Sequence, residues 1–173
     1  MELFYVAQGI SILTALIAMV SMQFKNMRLI LAGQIAANLL TALTSLLLGG
    51  LSGAGICIIA IFQSVIMFIF NIKKIKPHLA VVIGFVLLYV ACSIYYFTSF
   101  IDVFSMLAAI CFALSVTQEK PSSARIFYVV NPLLWMVYDI YVKAYVNLAM
   151  HAVIFISTAI AIIRLDIIRK KSD

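Results

Sequence analysis

The chain has 173 residues, 66% of them apolar and only 10% charged, with a mean hydropathy of +1.20. A water-soluble domain of this size has too little interior to hide that much hydrocarbon, so a soluble globular fold is excluded and a lipid bilayer is the solvent that fits. The net charge of +6 needs no nucleic-acid partner to explain it, because the basic residues fall in the short gaps between apolar runs.

The first apolar run, 3–22, follows a start (Met-Glu-Leu-Phe-Tyr) that lacks the basic region of a secretory leader, so it is expected to stay as a helix. After Lys25-Asn26-Met27-Arg28 comes 29–48, where Gln34, Asn38, Thr41 and Ser45 follow i, i+4, i+7, i+11 and share one helical face. The run 54–72 carries Gln63 and Ser64 at its middle. It ends at Lys73-Lys74-Ile75-Lys76-Pro77-His78, beyond which 79–97 is almost uniformly apolar. The run 102–117 is short and opens on Asp102, an expected helix N-cap. In 125–142, Tyr128, Asn131, Trp135 and Tyr138 nearly repeat the spacing of 29–48. Pro132 lies inside this run, and Asp139 stands four residues before Lys143, an expected interfacial pair. The last run, 145–165, places Asn147, His151 and Thr158 on one face. Cys57, Cys92 and Cys111 sit within apolar runs without metal spacing and read as small core residues.

Each run approaches the roughly 20 residues that carry a helix through a hydrocarbon core about 30 Å thick. Backbone groups must pair internally in lipid, and no alternating barrel pattern is present, so the expected fold is all-α with seven transmembrane helices. With seven spans, one side receives Lys25, Arg28, Lys73, Lys74, Lys76, Lys120, Arg125, Arg164, Arg169, Lys170 and Lys171, and the other receives Lys143 alone. This asymmetry predicts a cytoplasmic C-terminus and an external N-terminus, with the basic side chains facing anionic headgroups.

The two ends of the chain also resemble each other. Shifted by 94, Gln8, Ser11, Ala15 and Ser21 meet Asp102, Ser105, Ala109 and Ser115; shifted by 93, Asn38 meets Asn131. The pattern predicts a single membrane domain over 1–173: a three-helix unit (1–77), a linker helix (78–100) and a second three-helix unit (101–173). An odd linker restores the starting side, so the two units run parallel, with a site expected between them.

Two stretches carry a further likeness. Ser21-Met-Gln-Phe-Lys-Asn26 runs through Gly33-Gln-Ile-Ala-Ala-Asn-Leu-Leu40 to Leu48-Gly-Gly-Leu-Ser-Gly-Ala54, and Asn131-Pro-Leu-Leu-Trp-Met-Val-Tyr138 leads to Ile162-Ile-Arg-Leu-Asp-Ile167. Together they resemble the YgjV family of bacterial inner-membrane proteins, whose architecture is similar to that of PQ-loop proteins, SWEET sugar transporters and PnuC riboside transporters. The resemblance implies a three-one-three helix arrangement in the bacterial inner membrane. The chain departs from these groups in having no Pro-Gln dipeptide and no hinge proline in its first or fifth span. Many family members carry Arg-Asn at Gln63-Ser64 and Glu at His151, so this chain has lost a buried positive and a buried negative charge together. Such a joint loss suits a former ion pair.

Polar side chains are costly against lipid, so Gln34, Asn38, Gln63, Asn131, Trp135, Tyr138 and His151 are expected to face a central solute-binding cavity. The alternative is interhelical bonding worth about 0.6 kcal/mol per contact. His151 suits either a proton relay or neutral helix packing. No nucleophile elbow, paired-carboxylate cluster or Cys–His metal spacing is present, so neither an enzyme nor a cofactor is expected. The expected function is a small-solute transporter working by alternating access. A neutral cavity points to an uncharged polar solute such as a sugar, riboside or vitamin. The rival is a non-transporting sensor or assembly protein, and the glycines near 49–55 are compatible with a tight turn or with a homodimer contact.

Overall fold

Helices form wherever the apolar runs allow, and the polar gaps between them supply the stops. The computed structural model of the protein describes residues 2–49 and 51–168, so Gly50 and the basic residues Arg169, Lys170 and Lys171 lie outside the described residues. Among the described residues there are seven helices and no strand: α1 (Glu2–Ser21), α2 (Met27–Leu47), α3 (Leu51–Ile72), α4 (Leu79–Tyr95), α5 (Asp102–Val116), α6 (Pro121–Tyr141) and α7 (Tyr145–Ala161), the last extended by a widened π-type segment, Ile162–Ile168.

The boundaries have local causes. Asn26 accepts the Arg28 N–H at 2.9 Å and starts α2, and the His78 ring accepts the Ala80 N–H at 3.2 Å and starts α4. The sixth helix begins at Pro121, four residues before the expected 125, because proline at the first helical position lacks only an N–H that would have had no partner. Gly49, with φ of +75°, ends α2 in a left-handed turn that glycine makes without strain.

Asp102 departs from expectation. It is the first residue of α5 rather than its cap, and its carboxylate reaches backwards to the N–H groups of Thr98 and Ser99, both at 2.8 Å. The preceding turn, rather than the helix start, leaves the unpaired donors nearest this side chain.

Neighbours in sequence pack against one another. The middle helix α2 lies between α1 and α3, and α6 lies between α5 and α7; α4 touches α3 and α5, and α1 meets α7 to close the bundle. The shared interior holds Met22, Ile30, Leu31, Met67, Tyr89 and Val116, all nearly inaccessible. The outer surface is the reverse of a soluble protein's, with Leu13, Phe62, Leu87, Ile126 and Val153 all at least 50% exposed. Three segments are long and apolar enough to cross a bilayer by length and composition: Met27–Leu47, Gly53–Ile72 and Tyr145–Ile168. The fourth and fifth helices are apolar but shorter, the part Tyr5–Ser21 of α1 is likewise apolar, and α6 carries Arg125, Asn131 and Asp139.

Candidate functional site

The polar faces expected from the sequence converge on one cavity of about 640 Å³ inside the bundle. Gln34 and Asn38 reach it from α2, Asn131, Trp135 and Tyr138 from α6, and His151 from α7. Gln63 does not line it. That side chain is fully buried between α3 and α5 and donates to the Ala113 carbonyl at 3.0 Å, so it joins helices instead. Its own oxygen has no partner among the described residues.

Several polar residues of the α2 stripe turn back on their own helix. Asn38 donates to the Gln34 carbonyl at 2.8 Å and Thr41 to the Ala37 carbonyl at 2.9 Å. Gln34 does cross between helices, donating to Ser21 Oγ at 2.8 Å. The amide nitrogen of Asn131 bonds the Ala108 carbonyl of α5 at 2.8 Å, and the residue also lines the cavity. Sequence reasoning passed over Tyr89 and Ser93 of α4. Both line the cavity, and neither hydroxyl has a hydrogen-bond partner among the described residues. A buried hydroxyl without a partner costs about 1–3 kcal/mol, so these groups favour a wall that meets water or a polar solute.

The wall is not neutral, which corrects the premise behind an uncharged solute. Asp102 and Asp139 both line it, with no lysine or arginine among the described lining residues. Asp139 does not pair with Lys143 as its spacing suggests. It is buried (2% exposed), and its Oδ2 lies 2.7 Å from His151 Nδ1. Lys143 instead turns into a left-handed conformation (φ +59°) in an exposed loop, so the carboxylate faces inward and the lysine outward. Trp135 stacks on the His151 ring at 5.9 Å with planes 11° apart, and Tyr138 meets Trp135 edge-on at 5.7 Å. The site at this end of α6 and α7 is thus a carboxylate, an imidazole and two aromatic rings in contact.

The lining extends to Thr98, Val142 and Ala144 in the loops at one end of the bundle, and stops short of the other end, where the basic loops gather. There Arg125 is clamped. Its Nε donates to Asp166 Oδ2 at 2.8 Å, a second guanidinium nitrogen meets Asp166 Oδ1, and Nη1 reaches the carbonyls of Phe24 at 2.9 Å and Met22 at 3.3 Å. Gln23 donates to Ser157 Oγ at 2.8 Å and accepts from Arg164 at 2.9 Å. The α1–α2 loop is therefore tied to α6 and to the end of α7. Arg125, expected to face headgroups, is 2% exposed because this fork satisfies its donors internally.

A family model described as a bacterial inner membrane protein, Imp-YgjV, matches residues 5–169, and the chain belongs to that family. Comparison with curated proteins and with solved structures finds no match.

Proposed function

We propose that this member of the Imp-YgjV family is a small-solute carrier whose substrate occupies the cavity between α1–α3 and α5–α7. In this reading all seven helices cross the membrane, the residues up to 77 and from 101 form two parallel three-helix units, and α4 is their linker. The packing of α2 between α1 and α3, and of α6 between α5 and α7, supports that division. The basic end lies in the cytoplasm by the excess of lysine and arginine there. Transport is by rocking of the two units around the midplane site.

One observation carries the reading. A polar-walled cavity reaches the loops at one end of an apolar bundle and is stopped at the other end by a hydrogen-bonded clasp. That is the form expected of a carrier resting open to the outside. A structural protein gains nothing from unpartnered hydroxyls beside a cavity of this size.

The test is uptake by proteoliposomes of labelled sugars, nucleosides, vitamins, amino acids and amines. Asn131→Ala and Trp135→Ala are expected to lower uptake at least tenfold while the thermal unfolding transition stays cooperative. A solute that stabilises the purified protein but never enters the vesicles would replace the carrier by a sensor. Failure of the entire panel both to bind and to enter would sink the solute site.

A further inference from the structure

We propose that the Asp139–His151 pair exchanges one proton for one small organic cation, an amine or quaternary ammonium, so that solute binding and proton release are a single event. The inference rests on the cavity being a solute site and adds the solute's charge and the form of coupling.

The argument begins with what a buried carboxylate requires. The Asp139 side chain is 3% exposed, and its one described ionic partner is His151, itself 24% exposed on the same wall. An unpaired charge at this depth is expensive, so the carboxylate has to be matched by a cation. Tyrosines and Cys57 apart, the titratable groups of the wall among the described residues are Asp102 from α5, Asp139 from α6 and His151 from α7, and no described residue of α1 to α4 brings a charged group to it. Asp102 is committed to Thr98 and Ser99. The positive partner of Asp139 is thus either imidazolium or something that enters from outside.

Both partners would use the same atoms. In the protonated pair, Nδ1–H of the imidazolium donates to the carboxylate, Nε2–H is also protonated, and the flat stack on Trp135 supplies a cation–π contact at 5.9 Å. When a cation arrives, the proton leaves Nε2 to cavity water. The neutral ring still donates from Nδ1, and the cation takes over the charge of Asp139 beside the faces of Tyr138 and Trp135. One positive charge enters and one leaves, so the wall keeps its net charge. Two cations on one carboxylate would leave a positive charge in excess, and this makes the exchange competitive. A cavity of about 640 Å³ has room for an organic cation together with water.

Trp135 is the only tryptophan of the chain and stacks on the His151 ring. Its fluorescence, quenched by imidazolium, therefore reports His151 directly. The experiment is a pH titration of this emission in the purified full-length protein, at constant ionic strength set by potassium chloride. Methylammonium, choline and guanidinium chlorides each replace potassium in turn, and 3,3-dimethylbutan-1-ol serves as the uncharged counterpart of choline. At least one cation is expected to lower the midpoint by about one pH unit per tenfold rise in concentration above its dissociation constant, as one-for-one linkage requires. The alcohol is expected to leave it unmoved. His151→Gln should remove the step, and Asp139→Asn should erase the cation effect. A midpoint that none of the three cations moves, or that the alcohol moves equally, overturns the exchange. These wild-type arms need no variant to fold. Failure of the carrier reading looks different: the midpoint moves with the cation, yet proteoliposomes take up none of it.

Discussion

Arg125 carries more consequence than any other side chain at the basic end. It is 2% exposed and donates to one carboxylate and two backbone carbonyls. Removing it leaves the partly buried Asp166 without its cation, and stranding one member of such a pair costs about 3–5 kcal/mol. Arg125→Met should therefore lower the thermal midpoint in detergent severely, and Arg125→Met with Asp166→Leu should recover most of the loss, because no charge is then left behind. An unchanged midpoint in Arg125→Met would mean that the clasp contributes nothing to stability. Which residues face the cavity was partly legible: six of the seven residues singled out from their polarity line it, since a lone amide or imidazole in an apolar run is conspicuous. Their partners were not legible. Asp139 has Lys143 at helical spacing, yet it bonds His151, twelve residues away across a loop. The choice depends on the rotation and depth of α6 against α7, which no local spacing encodes.

Helix by helix, the punctuation of charges, glycines and prolines was enough to place all seven elements, with ends displaced by a few residues where a cap intervened. What remained hidden was how closely the helices approach. Gly33 of α2 is the clearest case. A Cβ there would lie 2.4 Å from the Ser21 Cβ of α1, well inside contact distance, and Ser21 is fixed by donating to the Ala18 carbonyl at 2.7 Å and by accepting from Gln34. The intruding methyl has no flexible chain end to displace, so α1 and α2 must part. Overpacking of this kind costs about 1–3 kcal/mol. Gly33→Ala should lower the thermal midpoint although alanine is intrinsically the better helix former by nearly 1 kcal/mol. A rise in stability would show that the helices separate freely. In the polar faces of α2 and α7, Thr41 and Thr158 satisfy themselves on carbonyls four residues back, so polar spacing on a helix face does not by itself mark a bond to a neighbour.

For the molecule as a whole, the asymmetry between its two ends yields a directional test. The cavity reaches Thr98 and Val142 at one end, and the Arg125 clasp closes the other. Ser105 lines the cavity in the first turns of α5, whereas Lys74 is exposed in the loop at the basic end. In a background with Cys57, Cys92 and Cys111 replaced by serine, Ser105→Cys is expected to react with a membrane-impermeant thiol reagent in intact spheroplasts. Lys74→Cys should react only in inverted vesicles, where the cytoplasmic face is outward. Adding Arg125→Met removes the ties from α6 to the α1–α2 loop and to Asp166, and so favours the state open at the basic end. A few kcal/mol separates such states in a typical two-state protein, and a loss of about 3 kcal/mol on one side shifts their ratio roughly a hundredfold. Labelling of Ser105→Cys should then fall in spheroplasts and rise in inverted vesicles. Reaction of Lys74→Cys in intact spheroplasts would reverse the orientation. Labelling of Ser105→Cys that ignores the loss of Arg125 would mean that the clasp braces the bundle without gating it.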